Sequence, residues 1–560
     1  MTIRLNLFFL LLLLSVTSLS AQELKSKKYW IFFRDKTLTD LSLQKTIQKA
    51  LPERTIERRL KNRSLENLVD TYDIPVTGEY IHSVKSLGIQ IITVSRWFNA
   101  VSAYLSPAQK VALENLPAVA AVREVAHAQQ NTLFKHDQSA DDFRTVTNPD
   151  YGSSYAQNAI INTPAAHQRG YSGNGVLIGM IDTGFNLDHA AIRNVHVVDD
   201  SDFVQNDKDV SENTDGKSNS SHGTYVLSAI AGNDPGRLIG TAYGASYLLA
   251  RTENDDGIGQ KAEEDHWVSA LEWLEEKGAD IISSSISFFD DFQSNSDNYT
   301  LADLDGRTAL TTIATNIAFD KGVLVFNSAG NMGARGSGYL GTPSDGKKMI
   351  AVGAVYGDSS VTTFSSKGPT SDGRKKPDVA ALGYNVKVVA NDTSHYDNLS
   401  GTSLSTPLVA GLAALALEAN PKWSAKQLYD AIKKTASAVS KPNNNIGYGI
   451  PDALKALNYD PSGSMNPFVK NVIGYPNPSS GPITISFRPL ATASFSIKIY
   501  NSIGQYVATV AHDESAQQNV DISRSWNGKN ERGHEVSSGV YFFRISLGGK
   551  STSDRILIVK

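Results

Sequence analysis

Four polar residues in this 560-residue chain stand where chemistry is commonly done. Ile178-Gly179-Met180-Ile181-Asp182-Thr183-Gly184 is an apolar strand pattern ending in an acid and a tight turn. In parallel α/β sheets, sites gather at the carboxyl ends of strands. An aspartate that merely opens a turn reads the same way. Ser221-His222-Gly223-Thr224-Tyr225-Val226 sets a histidine at the opening of an apolar helical run that continues through Ala229-Ile230-Ala231-Gly232. A lone histidine is more often structural. Val323-Leu324-Val325-Phe326-Asn327-Ser328-Ala329-Gly330-Asn331 is a buried-strand pattern running into an amide that donates without charge. A turn asparagine is the plain alternative.

The fourth stretch is Asn398-Leu399-Ser400-Gly401-Thr402-Ser403-Leu404-Ser405-Thr406-Pro407. It leads into residues 408–417, apolar on nearly every face, as in a helix buried at the centre of a domain. Pro407 is expected in the first turn, where a helix tolerates it. Ser403 then lies at the helix N-terminus, where backbone N–H groups are unpaired and the dipole favours negative charge. A nucleophilic serine benefits there, because an oxyanion forms beside it. A hydroxyl-rich cap is the bland reading, but the run around Gly401 exceeds what a cap requires.

These residues need a frame. Residues 151–460 alternate apolar strand patterns (176–181, 247–250, 281–286, 323–326, 349–355) with helical stretches such as 265–277 and 308–320. That predicts α/β architecture with a parallel sheet covered on both faces. Ahead of it, Tyr29-Trp30-Ile31-Phe32-Phe33 reads as a strand, 41–68 as a charged helical stretch, and 91–94, 99–105 and 119–125 as further strands. Ser106-Pro107 opens a short helix. This is a small α+β domain, followed by a polar stretch, 129–150, that reads as an exposed linker. Beyond a Ser/Pro/Gly/Asn-rich stretch at 462–482, short alternating segments (483–487, 495–500, 539–547, 555–559) predict a small all-β sandwich.

Composition narrows the function. The chain is 41% hydrophobic and 20% charged, as folded proteins are, and its net charge of -4 offers no basic face for nucleic acid. It has no cysteine, which removes a thiolate nucleophile, thiolate metal sites and thiol redox chemistry. Arg4, the apolar run at 7–14 and Ser18-Leu19-Ser20-Ala21 form a secretory signal peptide, with cleavage expected after Ala21. Even extended through Val16, that apolar run is about ten residues, against roughly twenty for a membrane span. No other stretch is long enough, so no membrane span is expected in the mature chain.

Taken in order, Asp182, His222, Asn331 and Ser403 resemble the subtilisin (subtilase) family, whose catalytic residues run Asp, His, Ser along the chain. The resemblance covers 151–460 and includes Ile350-Ala351-Val352-Gly353-Ala354, Ser365-Ser366-Lys367-Gly368-Pro369 and Lys376-Pro377-Asp378-Val379-Ala380. It implies a subtilisin-like fold and a secreted serine endopeptidase that cuts protein or peptide substrates through an acyl-enzyme, with no catalytic cofactor or metal. Ser403 would attack, His222 would move the proton, and Asp182 would orient the imidazole. Asn331 and the Ser403 N–H would bind the oxyanion. Ser285, Ile286, Ser287, Gly330 and Gly341 are implied to bind substrate, with Met332 at another pocket position. No acid is evident among them, so an apolar or aromatic P1 residue is expected.

Three departures stand out. Ser287 replaces a frequent glycine, which puts the pocket rim in doubt. Leu404 replaces the usual methionine and predicts slow inactivation by peroxide. Leu408 stands where histidine is common, and only a packing change is expected. The acidic loop 199–215 could hold a structural Ca²⁺.

Residues 22–129 resemble the inhibitor-like propeptide of the family, ending in 118–125. This implies a domain that assists folding, occupies the cleft and is removed by self-cleavage in the linker, 130–150. After a second linker, 461–474, residues 475–560 resemble a type IX secretion sorting domain of the A type. The matching residues are Tyr475-Pro476-Asn477-Pro478, Ile499-Tyr500-Asn501, Ser538-Gly539-Val540-Tyr541-Phe542 and the final Lys560. The type IX machinery is thereby an implied partner, and the protein would be secreted or on the cell surface (outer membrane) of a gram-negative bacterium. Two alternatives remain. One is a catalytically silent subtilase-fold surface or binding protein. The other is a lipase or esterase, which would carry a Gly-x-Ser-x-Gly elbow and the order Ser, Asp, His. Here Ser405 takes the place of the second glycine, and the nucleophile comes last.

Overall fold

The computed structural model describes residues 27–36, 41–128, 133–135, 149–211, 221–253, 262–288, 299–460, 469–476, 479–501 and 504–558. The signal peptide, most of the first linker, the end of the acidic loop, Asn477-Pro478 and Lys560 lie outside them.

Seven strands build the central sheet: β5 (Leu177–Asp182), β6 (His196–Asp202), β7 (Ser246–Arg251), β8 (Ile281–Ser284), β9 (Leu324–Ser328), β10 (Ile350–Val355) and β11 (Val379–Leu382). Their order is β11-β10-β9-β8-β5-β7-β6, and every pairing is parallel. β5, β8, β9, β10 and β11 are buried along their whole length, as expected for strands covered on two faces. Helices α5 (Ser221–Ala231) and α8 (Thr402–Ala419) share one core with Ile178, Leu324 and Val352. Helices α6 (Glu264–Glu276) and α7 (Leu310–Asp320) share the core of the opposite face, with Leu248, Ile282 and Val325. α8 is long and apolar enough to cross a membrane, but 89% of it is buried inside the protein.

The N-terminal domain is a four-stranded antiparallel sheet, β1 (Lys27–Phe33), β2 (Ile91–Ser95), β3 (Ala100–Leu105) and β4 (Val119–Glu124), in the order β2-β3-β1-β4. Strand alternation gives it two apolar faces. Ile31, Phe33, Val101 and Leu105 pack on its own helices α3 (Gly78–Ser86) and α4 (Pro107–Glu114). Trp30 and Ala100 enter the core around α6 and α7. The expected helical stretch 41–68 is broken: α1 (Leu41–Ala50) stops, and Pro52 becomes the N-cap of α2 (Glu53–Leu60), because proline cannot continue a helix.

The tail is a sandwich of a three-stranded and a four-stranded antiparallel sheet around Phe487, Phe495, Ile497 and Phe543. Its first strand, Val469–Tyr475, lies inside the stretch expected to be a linker. Strands Tyr506–Ala516 and Ile522–Trp526 were not legible from alternation, since bulges interrupt the first and polar residues dominate the second.

Candidate active site

β5 ends on Asp182, which is fully buried. Asp182 Oδ1 accepts the Thr183 N–H at 2.8 Å and faces His222 Nδ1 at 2.6 Å. His222 is the second residue of α5. The first turn of α5 presses on the end of β5, and Gly223 permits it: a side chain there would strike the Gly184 carbonyl and come within 3.0 Å of Asp182 Cβ. This glycine leaves a space that no side chain could occupy. The room is for the aspartate and the turn after it.

Ser403 is the second residue of α8 and is fully buried, and its Oγ has no hydrogen-bond partner among the described residues. Pro407 lies beyond the first turn, inside the helix, which corrects the sequence expectation. Proline has no N–H for the carbonyl four residues back, that of Ser403. Ser285 Oγ donates to that carbonyl instead, at 2.8 Å. The Ser285 hydroxyl is therefore committed to the helix, so any contact of Ser285 with substrate falls to its backbone.

Asn331 follows β9. Its Oδ1 accepts the Thr402 N–H at 3.0 Å and the Thr402 hydroxyl at 2.9 Å, which turns Nδ2 toward the start of α8. From the position a Cβ would take on Gly401, Asn331 Nδ2 is 3.4 Å away and the Ser403 N 3.8 Å away. Two donors thus converge on one small space. Thr402 was missed in the sequence. Its only signal was its place beside Ser403, and its partner lies 71 residues away.

Among the expected pocket residues, Gly330 has φ +106°, a region that favours glycine, and a Cβ there would come 2.8 Å from Ser366 Oγ. Ser287 and Gly341 are in contact, since any Cβ on Gly341 would collide with that of Ser287. The Ser287 hydroxyl donates to the Ser328 carbonyl at 3.2 Å. The extra side chain at 287 is thus accommodated by the missing one at 341. The Ile286 carbonyl accepts Asn327 Nδ2 at 2.9 Å. Met332 Cε lies 3.3 Å from the same Gly330 position, so a thioether stands beside Asn331 even though Leu404 is buried and carries none. Leu408 is buried in the core, consistent with packing alone.

The trailing chain of the N-terminal domain crosses this region. His127–Ala128 pair antiparallel with Ala262–Glu263, just ahead of α6. Phe134 and Lys135 pair antiparallel with Ser400 and Leu399, the residues leading to Ser403. Leu133 Cδ2 lies 2.7 Å from the Gly401 Cβ position, and the Phe134 ring packs on Phe364 with centroids 5.5 Å apart.

In the acidic loop, Asp199 is taken by Lys208 at 2.6 Å and Lys277 at 2.7 Å, and Asp202 by Arg251 at 2.7 Å. No group of three or more His, Asp or Glu that could hold a metal ion is found among the described residues.

A fully parallel sheet with its polar cluster at the carboxyl ends of the strands defines an α/β enzyme. Three family models match the chain: "Subtilase family" at residues 173–449, "Peptidase S8 propeptide domain, Bacteroidota" at 28–141, and "Secretion system C-terminal sorting domain" at 474–560. Subtilisin E of Bacillus subtilis (strain 168) is 30% identical over 359 residues, 63% of this chain and 79% of its own. Halolysin of Haloferax mediterranei is 28% identical over 391 residues, 69% of this chain and 66% of its own. Fervidolysin from Fervidobacterium pennivorans, a keratinolytic enzyme related to subtilisin, superposes with a TM-score of 0.54 at 16% identity, covering 94% of this chain and 71% of that one. The chain belongs to the subtilase family of serine endopeptidases, with a propeptide domain ahead of the peptidase and a sorting domain behind it that makes it a secreted or cell-surface protein.

Proposed function

We propose that the protein is a self-processing serine endopeptidase that works through Asp182, His222 and Ser403. The carrying observation is the Asp182–His222 contact of 2.6 Å at one strand-to-helix junction. Ser403 attacks the scissile carbonyl, and His222 Nε2 takes its proton. The Asn331 amide and the Ser403 N–H hold the oxyanion. His222 then protonates the leaving amine, and water releases the acyl group by the same steps. Asp182 keeps Nδ1 protonated and stabilises the imidazolium. No step needs a cofactor.

The first substrate is the chain itself. Since Leu133 already lies at the start of α8 and the chain is paired on both sides of residues 129–132, the bond cut falls between Ala128 and Leu133. Fluorophosphonate labelling and casein digestion test the activity: wild type should label, digest and show a new N-terminus in that window, and Ser403→Ala should do none of these. Labelling without digestion would favour the lipase or esterase alternative, and a wild type that does not label would favour the silent one.

On other substrates, the apolar Met332 and the lack of an acid among the expected pocket residues favour an apolar or aromatic P1 residue, although Ser287 fills the space that Gly341 leaves. A cleavage profile dominated by Arg or Lys would refute this. Calcium gains little support, because Asp199 and Asp202 of the loop are already paired with lysines and an arginine. A melting temperature unmoved by EDTA is the expected result. Deleting residues 467–560 is expected to leave the protein in the periplasm if the tail is read by the type IX machinery.

A further inference from the structure

A buried arginine joins the peptidase domain to the tail sandwich. Arg169 follows the short helix Thr163–His167 and is 7% exposed. Its Nη2 donates to the Val472 carbonyl at 2.6 Å, and its Nη1 lies 3.7 Å from Asp554 Oδ2. Among the described residues, both partners of the guanidinium therefore belong to the tail. Arginine stays charged and presents its donors in a rigid fork, and a buried charge is costly unless it is matched. A peptidase residue whose charge is matched only across the boundary acts at that boundary.

On the tail it holds an open seam. Val469–Tyr475 is an edge strand of the three-stranded sheet, and Lys550–Ile558 is an edge strand of the four-stranded one. The two edges lie against each other: a side chain on Gly474 would come within 3.0 Å of Phe543 and 3.5 Å of Ile556. The ladder of Val469–Tyr475 shifts between Lys470 and Ile473, which leaves Asn471 and Val472 without opposite residues. A backbone carbonyl left out of a ladder in this way needs another partner, and Arg169 is that partner for Val472. Asp554 lies on the other edge. One guanidinium thus ties an edge strand of each sheet to the peptidase. Open edges are the part of a sheet most prone to pair with other chains.

The contact is far from the cleft. Residues 169–176 run under the start of the central sheet. The Gly244 N–H donates to the Ser172 carbonyl at 2.8 Å and the Ser246 N–H to the Val176 carbonyl at 3.0 Å, just where β5 and β7 begin. Glu418, in the last turn of α8, accepts the N–H groups of Ser172 and Gly173, each at 2.7 Å. Ser403 is in the first turn of the same helix, about 22 Å away at a rise of about 1.5 Å per residue. The tail is held at the opposite pole from the nucleophile.

We propose that Arg169 anchors the tail sandwich in a fixed seat at the base of the peptidase domain, closing the seam between its sheets, and that the peptidase works with the tail still on, its cleft facing away from whatever holds the tail. The seat stands on these contacts alone. The open cleft rests on the catalytic reading above.

The chain has no cysteine, so two can be introduced and spin-labelled selectively. Lys422→Cys on the peptidase and Lys529→Cys on the tail, both at exposed positions, report the distance between the two domains in the full chain. With Arg169 in place a single narrow distance is expected. Arg169→Met keeps an apolar stem and removes the charge and the donors, and its distribution is expected to be at least threefold wider. A broad distribution with Arg169 present, or widening of less than threefold without it, overturns the seat. Should Arg169→Met fail to fold, Asp554→Arg sets two cations face to face and is read the same way from the tail side. The cleft is tested on processed protein that retains residues 467–560. With Arg169 it should react with a fluorophosphonate within twofold of the rate of Arg169→Met, and a rate more than twofold slower overturns the open cleft. If neither protein labels, the catalytic reading has failed and the open cleft falls with it, while the distance distribution still decides the seat.

Discussion

Two buried polar clusters of the peptidase domain differ in how completely they are bonded. In one, Asp378 Oδ2 accepts the Ala351 N–H at 2.9 Å and Lys376 Nζ at 2.6 Å, while Oδ1 takes Lys433 Nζ at 2.6 Å. Burial works to raise the Asp378 carboxyl, yet the two lysines hold it low. In the other, Asp182 Oδ2 and Ser403 Oγ have no hydrogen-bond partner among the described residues. Leaving a buried polar atom unbonded costs about 1–3 kcal/mol. A cluster whose bonds are complete stabilises the fold. One that leaves bonds unmade fits the catalytic role proposed above, in which the Ser403 hydroxyl must stay available for chemistry.

The contrast can be broken from both ends. The largest effect is expected at Ser403→Ala: activity should fall by about 10⁶-fold, the size of the same loss in subtilisin, a relative, from which it is borrowed. The melting temperature should hold or rise, because an unbonded buried hydroxyl is removed. A matching loss of stability would make Ser403 structural. Asp378→Ala should do the reverse. Two buried lysines lose their partner, and stability should drop by about 3–5 kcal/mol in denaturant titration, with unchanged activity per folded molecule. Asn331→Leu should lower kcat by about 10²–10³ with little change in KM, again a size borrowed from subtilisin. An equal loss from KM would place Asn331 in ground-state binding instead.

Next comes pH. Burial raises the Glu272 carboxyl, against the pull of Arg96 and the Ser95 hydroxyl, to about 7. A carboxyl raised on docking favours the docked state below its ordinary value of 4.5, and that advantage is lost as pH climbs to 7. Glu275, which burial would raise but Arg58 and Arg59 hold at about 2, works oppositely: its contribution is complete above 4.5 and lost as pH falls toward 2. Docking of the N-terminal domain should therefore be tightest near pH 4.5–5. It should weaken about a hundredfold by pH 7.5, and again in acid, as read from inhibition against pH. A flat profile would remove Glu272 from the interface. The smallest effect is expected at Ser285→Ala, which leaves the Ser403 carbonyl unbonded beneath Pro407, at about 1–3 kcal/mol of stability. If kcat stayed unchanged as well, the bond would serve only the helix.

How much of this was legible depends on distance along the chain. Period and burial are local properties, so apolar runs marked β5, β9 and β10, and the all-round apolar stretch marked α8. The motifs around Asp182, His222, Asn331 and Ser403 could be ordered because each is short and chemically unusual. The chain alone thus determined the α/β class, the candidate residues for acyl transfer, and a domain on either side. Bonds between distant residues carry no local signature. Only the tertiary structure decided that Ser285 replaces the N–H Pro407 lacks, that Thr402 aims Asn331, and that Ser287 fits because Gly341 has no side chain. Only the fold brings the basic residues of 54–63 onto helix ends more than two hundred residues away. The sequence there shows only a charged helical stretch, because a charge reveals its role only through the partner that buries it.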